Sequence, residues 1–327
     1  MNSPKNTTGL LAVLLVVAVA IFGGLAPTRF FDVGTLRSMA FQLPELGILA
    51  LAMMLPLISG GLNLAVVATA NLCGLVMAVI LTQLLGPASS TAATAGVIAL
   101  ALLGGLGVAL LTGWVSGAIV AWLRVHPILV TLGTMMLVKG VSIAATHGGV
   151  IGGFPPAILF LGNGTVFGVP VSILLFALCA LAVAVLLKHT PFGVSVRLIG
   201  SNEAAVRFSG VNTARVLIGV YVVSSGLCWV AALVMIARFN SARAGYAESY
   251  LLITILAAVL GGVDPFGGFG RVSGVVLALA LLQVISTGFA LLGFSPHLTE
   301  ALWGATMILA LVIALLRNRW ENRIVKR

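Results

Sequence analysis

Residues 197–210, RLIGSNEAAVRFSG, gather two arginines, a glutamate, an asparagine and two serines in a chain that is 61% hydrophobic and 7% charged. The residue types fit presentation to another surface better than bond-making chemistry. Asn202 can accept hydrogen bonds from a helix's first N–H groups, and Glu203 then lies against the positive end of the helix dipole. Gly210 can take the left-handed conformation that stops a helix. Ala204, Ala205 and Phe208 fall at i, i+1 and i+4 and form one small apolar face, with Arg207 a turn after Glu203. So short a helix is not stable alone in water, so the membrane domain or a second protein must hold it.

Reactive constellations are missing elsewhere. There is no GxxxxGK followed by Ser or Thr, because Lys5, Lys139, Lys188 and Lys326 follow no glycine-rich loop. Neither HExxH nor GxSxG occurs, and His126, His147, His189 and His297 show no ligand spacing. Cys73, Cys179 and Cys228 sit inside apolar segments and read as small buried hydrophobes. We therefore expect no catalytic residue, no metal site and no cofactor. Three ionisable groups fall within or at the edge of apolar segments: Glu45, Lys139 and Glu300. Glu45 and Glu300 read as boundary charges near lipid headgroups. Lys139 is paired, lines a wet cavity, or snorkels. Lys139 with Ser142, and Gln283 with Ser286, each lie three apart and share a helix face. With Asn63 and Asn71 they are candidates for a polar translocation pathway.

The elements that must position these groups are membrane helices. The chain has 327 residues, 17 basic and 7 acidic, with a mean hydropathy of +1.22. A soluble domain carries roughly a quarter of its residues charged. Apolar runs of helix-spanning length predict an all-α integral membrane protein, a polytopic bundle of about ten transmembrane helices. The runs are 9–26, 40–59, 64–86, 93–122, 127–146, 168–187, 214–237, 249–262, 272–292 and 298–316. The first is read as a membrane helix rather than a cleaved signal. The fourth is long enough to require a tilt or a kink. The eighth is short and ends in Gly261-Gly262, marking a discontinuous or re-entrant element. Gly113 and Gly117 in the fourth permit close helix contact.

Orientation follows from the basic residues. With a cytoplasmic N-terminus and every segment crossing, the inner side holds Lys5, Arg124, Lys188, Arg197, Arg207, Arg215, Arg271 and the tail Arg317, Arg319, Arg323, Lys326 and Arg327. The outer side holds only Arg29, Arg37, Arg238 and Arg243. That asymmetry puts both termini and the segment 188–213 in the cytoplasm. The net charge of +10 thus reflects topology, not nucleic-acid binding.

KHTPFGVSVRLIGSNEAAVRFSGVN (188–212) resembles the cytoplasmic coupling segment of the sugar-type (ribose/xylose/galactose-like) permeases of bacterial ABC importers. The matching residues are Lys188, Thr190, Phe192, Gly193, Ile199, Gly200, Asn202, Glu203, Ala204, Ala205, Ser209, Gly210, Val211 and Asn212. LAAVLGGVDPFGGFG (256–270) and HPILVTLGTMMLVKGVS (126–142) are similar to two further stretches of that family, and the likeness covers nearly the whole chain. ISGGLNLAVVATAN (58–71) departs from it. Asn63 stands where the family usually has an acidic residue and Ala65 where it has serine, while Ser59, Gly60 and Gly61 remain. Asn63 keeps hydrogen-bonding capacity but no charge. GGFPPAI and FNSARAGYAES are similar to permeases for autoinducer-2, ribose-like sugars and polyols.

The resemblance implies one permease domain over residues 1–327 in the bacterial inner membrane. It also implies a second permease subunit, identical or paralogous, a cytoplasmic ATP-binding subunit and a periplasmic sugar-binding protein. Asn202, Glu203, Ala204, Ala205, Arg207, Phe208 and Gly210 would contact the ATPase, which supplies the phosphate-binding loop this chain lacks. The cargo would be a monosaccharide or small polyol. An ion-coupled secondary transporter is the rival reading, and a membrane enzyme a third.

Overall fold

The computed structural model describes residues 5–86, 90–295, 297–299, 301–305 and 308. Its elements run α1 (Lys5–Leu25), α2 (Pro27–Phe30), α3 (Val33–Ile58), α4 (Val66–Leu84), α5 (Thr91–Leu123) and α6 (Pro127–Thr146). The strand β1 (Ile151–Gly152) and α7 (Pro156–Asn163) follow, then the hairpin β2 (Thr165–Val166) and β3 (Val169–Pro170). After these come α8 (Val171–His189), α9 (Pro191–Phe208), α10 (Thr213–Phe239), β4 (Ser241–Ala242), α11 (Tyr250–Leu260) and α12 (Val272–Leu291). β1 pairs antiparallel with β4.

Eight helices among the described residues are long and apolar enough to cross a membrane: α1, α3, α4, α5, α6, α8, α10 and α12. This is the all-α polytopic bundle the hydropathy predicts. The expected tenth segment extends past the described residues, and Glu300 and the basic tail lie outside them. α3 begins before its apolar run because Asp32 caps it, its carboxylate accepting from the Gly34 N–H at 2.9 Å. α5 is 33 residues long, about 50 Å of helix against a hydrocarbon core of about 30 Å. It runs unbroken from its Ser90 cap to Arg124, so its excess length is not relieved by a kink. α11, with 11 residues, spans about 16 Å, half a crossing.

α10 is the central post, packed against α3, α4 and α5. Its approach to α5 needs glycine. A Cβ on Gly113 would lie 2.7 Å from the Tyr221 carbonyl oxygen, and one on Gly117 would lie 2.8 Å from the Ile218 Cα. The small-residue spacing is therefore a helix contact.

Two non-helical segments enter the bundle from opposite ends. Residues 59–65 turn at the end of α3 and run back into the interior. There Asn63 donates to Ser224 Oγ at 3.0 Å and accepts from the Ala65 N–H at 3.1 Å, while Ser224 Oγ donates to the Ala52 carbonyl at 2.8 Å. Ser224 lies about 16 Å along α10, so α4 starts within the bundle rather than at its edge. From the other end, residues 240–249 fold back along α4, where the Asn71 amide donates to the carbonyls of Ala244 and Tyr246, both at 2.9 Å.

Glu45, read from hydropathy as a boundary charge near headgroups, does not reach out to them. It is 1% exposed, and its Oε1 accepts from Arg238 at 2.7 Å and from the Tyr250 hydroxyl at 2.8 Å. Hydropathy places Glu45 near a segment edge, but α3 extends well before it, so the carboxylate falls inside the bundle among α3, α10 and α11.

Candidate functional site

The polar cassette folds as two consecutive helices. Thr190 opens the first, its hydroxyl accepting from the Gly193 N–H at 3.1 Å and donating to the Leu186 carbonyl at 2.6 Å. Gly193 lets this turn lie on the backbone of Leu186 and Leu187. Helical geometry breaks at Asn202, whose φ of −164° and ψ of 94° are extended. Its side chain accepts from the Ala205 N–H at 3.0 Å and so caps a second short helix. Ser209 closes that helix, and Gly210 follows at φ +81°. Asn212 then caps α10 by accepting from the Arg215 N–H at 3.0 Å.

The capping expectations hold, and the structure adds which way each face points. Val206 is buried against Ile199 and Leu217 and fastens the short helix to the bundle. Ala204, Ala205 and Phe208 all face outward, and Phe208 is 92% exposed. Glu203 and Arg207 are exposed beside them. The small apolar face thus has no partner within the described chain.

Sequence reasoning missed what α9 rests on. Gly200 meets the Ile58 carbonyl and the Gly268 N–H, with no room for a Cβ. The Gly268 N–H itself donates to the Ile58 carbonyl at 2.8 Å. Gly60 and Gly267 close the junction at φ +82° and +95°, conformations that favour glycine. Beside them a Cβ on Gly61 would lie 2.9 Å from the Tyr221 hydroxyl and 3.1 Å from Pro127. The four glycine- and proline-marked stretches 58–61, 126–127, 199–200 and 267–268, scattered in sequence, meet at one end of the bundle. The sequence marks them separately, as glycines, a proline and family-like stretches, but carries no sign that they meet.

This junction gives a test of the fold. Gly200→Ala places a methyl group against backbone on both sides, so α9 must lift. The expected result is a destabilisation of about 1–3 kcal/mol. It reads as a lower unfolding midpoint in detergent and faster tryptic cleavage at Arg197 and Arg207. Gly107→Ala, at an open position inside α5, should neither lower the midpoint nor speed cleavage.

The pathway candidates occupy different places. Asn63 and Asn71 are buried and hold the two non-helical segments. Ser142 is buried on α6 and donates to its own helix at the Val138 carbonyl. Gln283 on α12 donates to Gln42 at 3.3 Å and Thr287 at 3.2 Å, with Ser286 half-buried nearby. α6 packs on α4 and α5 while α12 packs on α1, α3 and α11, so the two pairs belong to different layers. Lys139 resolves its three alternatives as an ion pair with Glu248 at 2.9 Å. Glu248 lies outside the apolar segments, and no spacing in the sequence pairs it with Lys139. No group of three or more His, Cys, Asp or Glu side chains able to hold a metal occurs among the described residues.

Residues 35–311 match the family described as branched-chain amino acid transport system / permease component. The chain is also similar to curated proteins named autoinducer 2 import system permease protein LsrD. The Photorhabdus laumondii protein is 32% identical over 92% of this chain and 89% of its own length. The Yersinia enterocolitica protein is 33% identical over the same shares. No solved structure matches. With apolar helices of crossing length, a packed glycine junction and this match over most of its length, the chain is a multi-pass membrane protein that belongs to the ABC importer permease family, on its sugar-type side.

Proposed function

We propose that this chain is one of two permease subunits of an importer that carries a monosaccharide or small polyol into the cytoplasm, powered by a separate ATPase. A ribose-like sugar or autoinducer-2 fits the class, the latter being what the relatives' names state. A periplasmic binding protein delivers the cargo, and the partner permease is a second copy or a paralogue. The α9 end faces the cytoplasm, as the bias of basic residues supports, and the whole chain acts as one permease domain. Asn202, Glu203, Ala204, Ala205, Arg207, Phe208 and Gly210 form the contact with the ATPase. Asn63, Asn71, Lys139, Ser142, Gln283 and Ser286 supply the polar interior.

The observation that carries this reading is the outward apolar face around Phe208, mounted on a junction that also holds the ends of α3 and of the 264–270 loop. A motion imposed on that face reaches two loops of the bundle at once. ATP-driven closure of the ATPase pair would then switch the bundle between outward and inward openings.

The test is energetic. In vesicles holding the permease pair and its ATPase, uptake from the loaded binding protein should require ATP and persist when an ionophore collapses ion gradients. Uptake that stops with the ionophore while ATP stays high would instead establish the ion-coupled transporter.

A further inference from the structure

Lys139 is the costliest residue in the chain for a membrane to accommodate. It lies twelve residues after Pro127 on α6, about 18 Å along the helix, and seven residues before its end, about 10 Å. That places it deep within a hydrocarbon layer of about 30 Å. Its ammonium is 2.9 Å from Glu248, so it is held there and does not reach for the headgroups. Yet the pair is open on one side, the two side chains being 42% and 52% exposed. An ion pair at this depth is not left facing lipid. Its open side meets water or protein.

The segment that carries Glu248 points the same way. Residues 240–249 are non-helical, and Asn71 pins their carbonyls inside the bundle. Arg243, Gly245, Glu248 and Ser249 are nonetheless exposed. Irregular backbone at membrane depth persists only where protein buries it or where it lines a water-filled cavity. Ala242 and Ala244 are buried by the bundle, but the side that carries Arg243, Gly245, Glu248 and Ser249 is not buried by its own chain.

We infer that Lys139 and Glu248 form a binding station for a neutral, hydroxyl-rich solute on the wall of the aqueous passage. The carboxylate accepts from hydroxyl groups and the ammonium donates to hydroxyl or ring oxygens. A sugar or polyol, with both kinds of group on adjacent carbons, can engage both partners at once. Because the pair is neutral overall, it holds such a solute without favouring anions or cations. This deepens the import reading above and rests on it for direction of transport, but not for the presence of water or solute.

The experiment uses thiol chemistry in the assembled transport complex, with Cys73, Cys179 and Cys228 replaced by alanine. Lys139→Cys leaves Glu248 unpaired, and Glu248→Cys leaves Lys139 unpaired. Each thiol should react with membrane-impermeant thiosulfonates. The cationic reagent should be preferred at the first and the anionic one at the second, the preference reversing between variants by about tenfold or more. In the same background a thiol at Ser249→Cys, which keeps both partners, should also react, and ribose and xylitol in large excess should slow it several-fold, whereas sodium chloride of equal osmolarity should not.

Thiols that stay unreactive would mean a partner protein covers the pair, and the station is overturned. A reactive Ser249→Cys thiol protected by neither ribose nor xylitol overturns it equally. In the same background lacking native cysteines, Lys139→Gln combined with Glu248→Gln should raise the half-saturation of protection, read at Ser249→Cys, by about tenfold. Unchanged half-saturation would make the pair only a strut. Loss of ATP-driven uptake with labelling and protection intact would sink the import reading and leave the station standing.

Discussion

Phe208→Ala is expected to abolish the stimulation of ATPase activity by the loaded binding protein while leaving basal hydrolysis and the fold of this chain intact. Phe208 is 92% exposed, so its removal costs the bundle no packing. Under the proposed coupling role the same ring would become a buried anchor in the complex, and truncating such an aromatic commonly costs about 2 kcal/mol or more. That corresponds to docking weakened by about thirtyfold. Val206, on the other side of the short helix, continues to hold it against Ile199 and Leu217. The segment stays folded and loses only its outward grip.

Glu203→Gln serves as the contrast. Glu203 and Arg207 stand one turn apart on the same exposed surface, and they form neither of the two ion pairs found among the described residues. An exposed pair of this spacing contributes only about 0.3–0.5 kcal/mol. The measurement is stimulated ATPase activity in the reconstituted complex, with co-purification of the ATPase as the assembly readout. Full stimulation and full assembly with Phe208→Ala would reduce the segment to a solvated loop.

The bundle was largely legible because its signals are local. Runs of apolar residues, the shortness of 249–262 and the caps at Asn202 and Gly210 depend on neighbours a few positions away. The orientation of the cassette was not, since Ala204, Ala205 and Phe208 form an apolar stripe whether it points inward or outward. Only the competing anchor at Val206 decides, and it belongs to a tertiary cluster. The glycine junction was hidden for a similar reason. Gly60, Gly200 and Gly267 lie more than 60 residues apart in sequence, and each reads alone as an ordinary helix punctuation. Lys139 was visible as an anomaly, but its partner was not. Glu248 lies outside every long span, and only the fold-back of residues 240–249 brings it to α6. Glu45 was misjudged because hydropathy scores distance to a segment edge, whereas burial depends on how far the helix extends past that edge.

Arg238→Met is expected to produce the largest loss of stability. It removes the guanidinium 2.7 Å from Glu45 and leaves a carboxylate that is 1% exposed facing only the Tyr250 hydroxyl. Breaking a buried pair by removing one partner typically costs about 3–5 kcal/mol, most of it for the charge left unpaired. The site matters beyond its own energy, because it ties the end of α10 and the start of α11 to α3, on either side of residues 240–249. Losing it should loosen that segment and with it Glu248. Adding Glu45→Leu removes the stranded charge, and the double variant should recover most of the stability, since replacing both partners with apolar groups is often nearly neutral. The readout is the unfolding midpoint in detergent of the wild type, both single variants and the double variant. A double variant as unstable as the sum of the singles would show that the three helices depend on the pair for packing, not for charge balance.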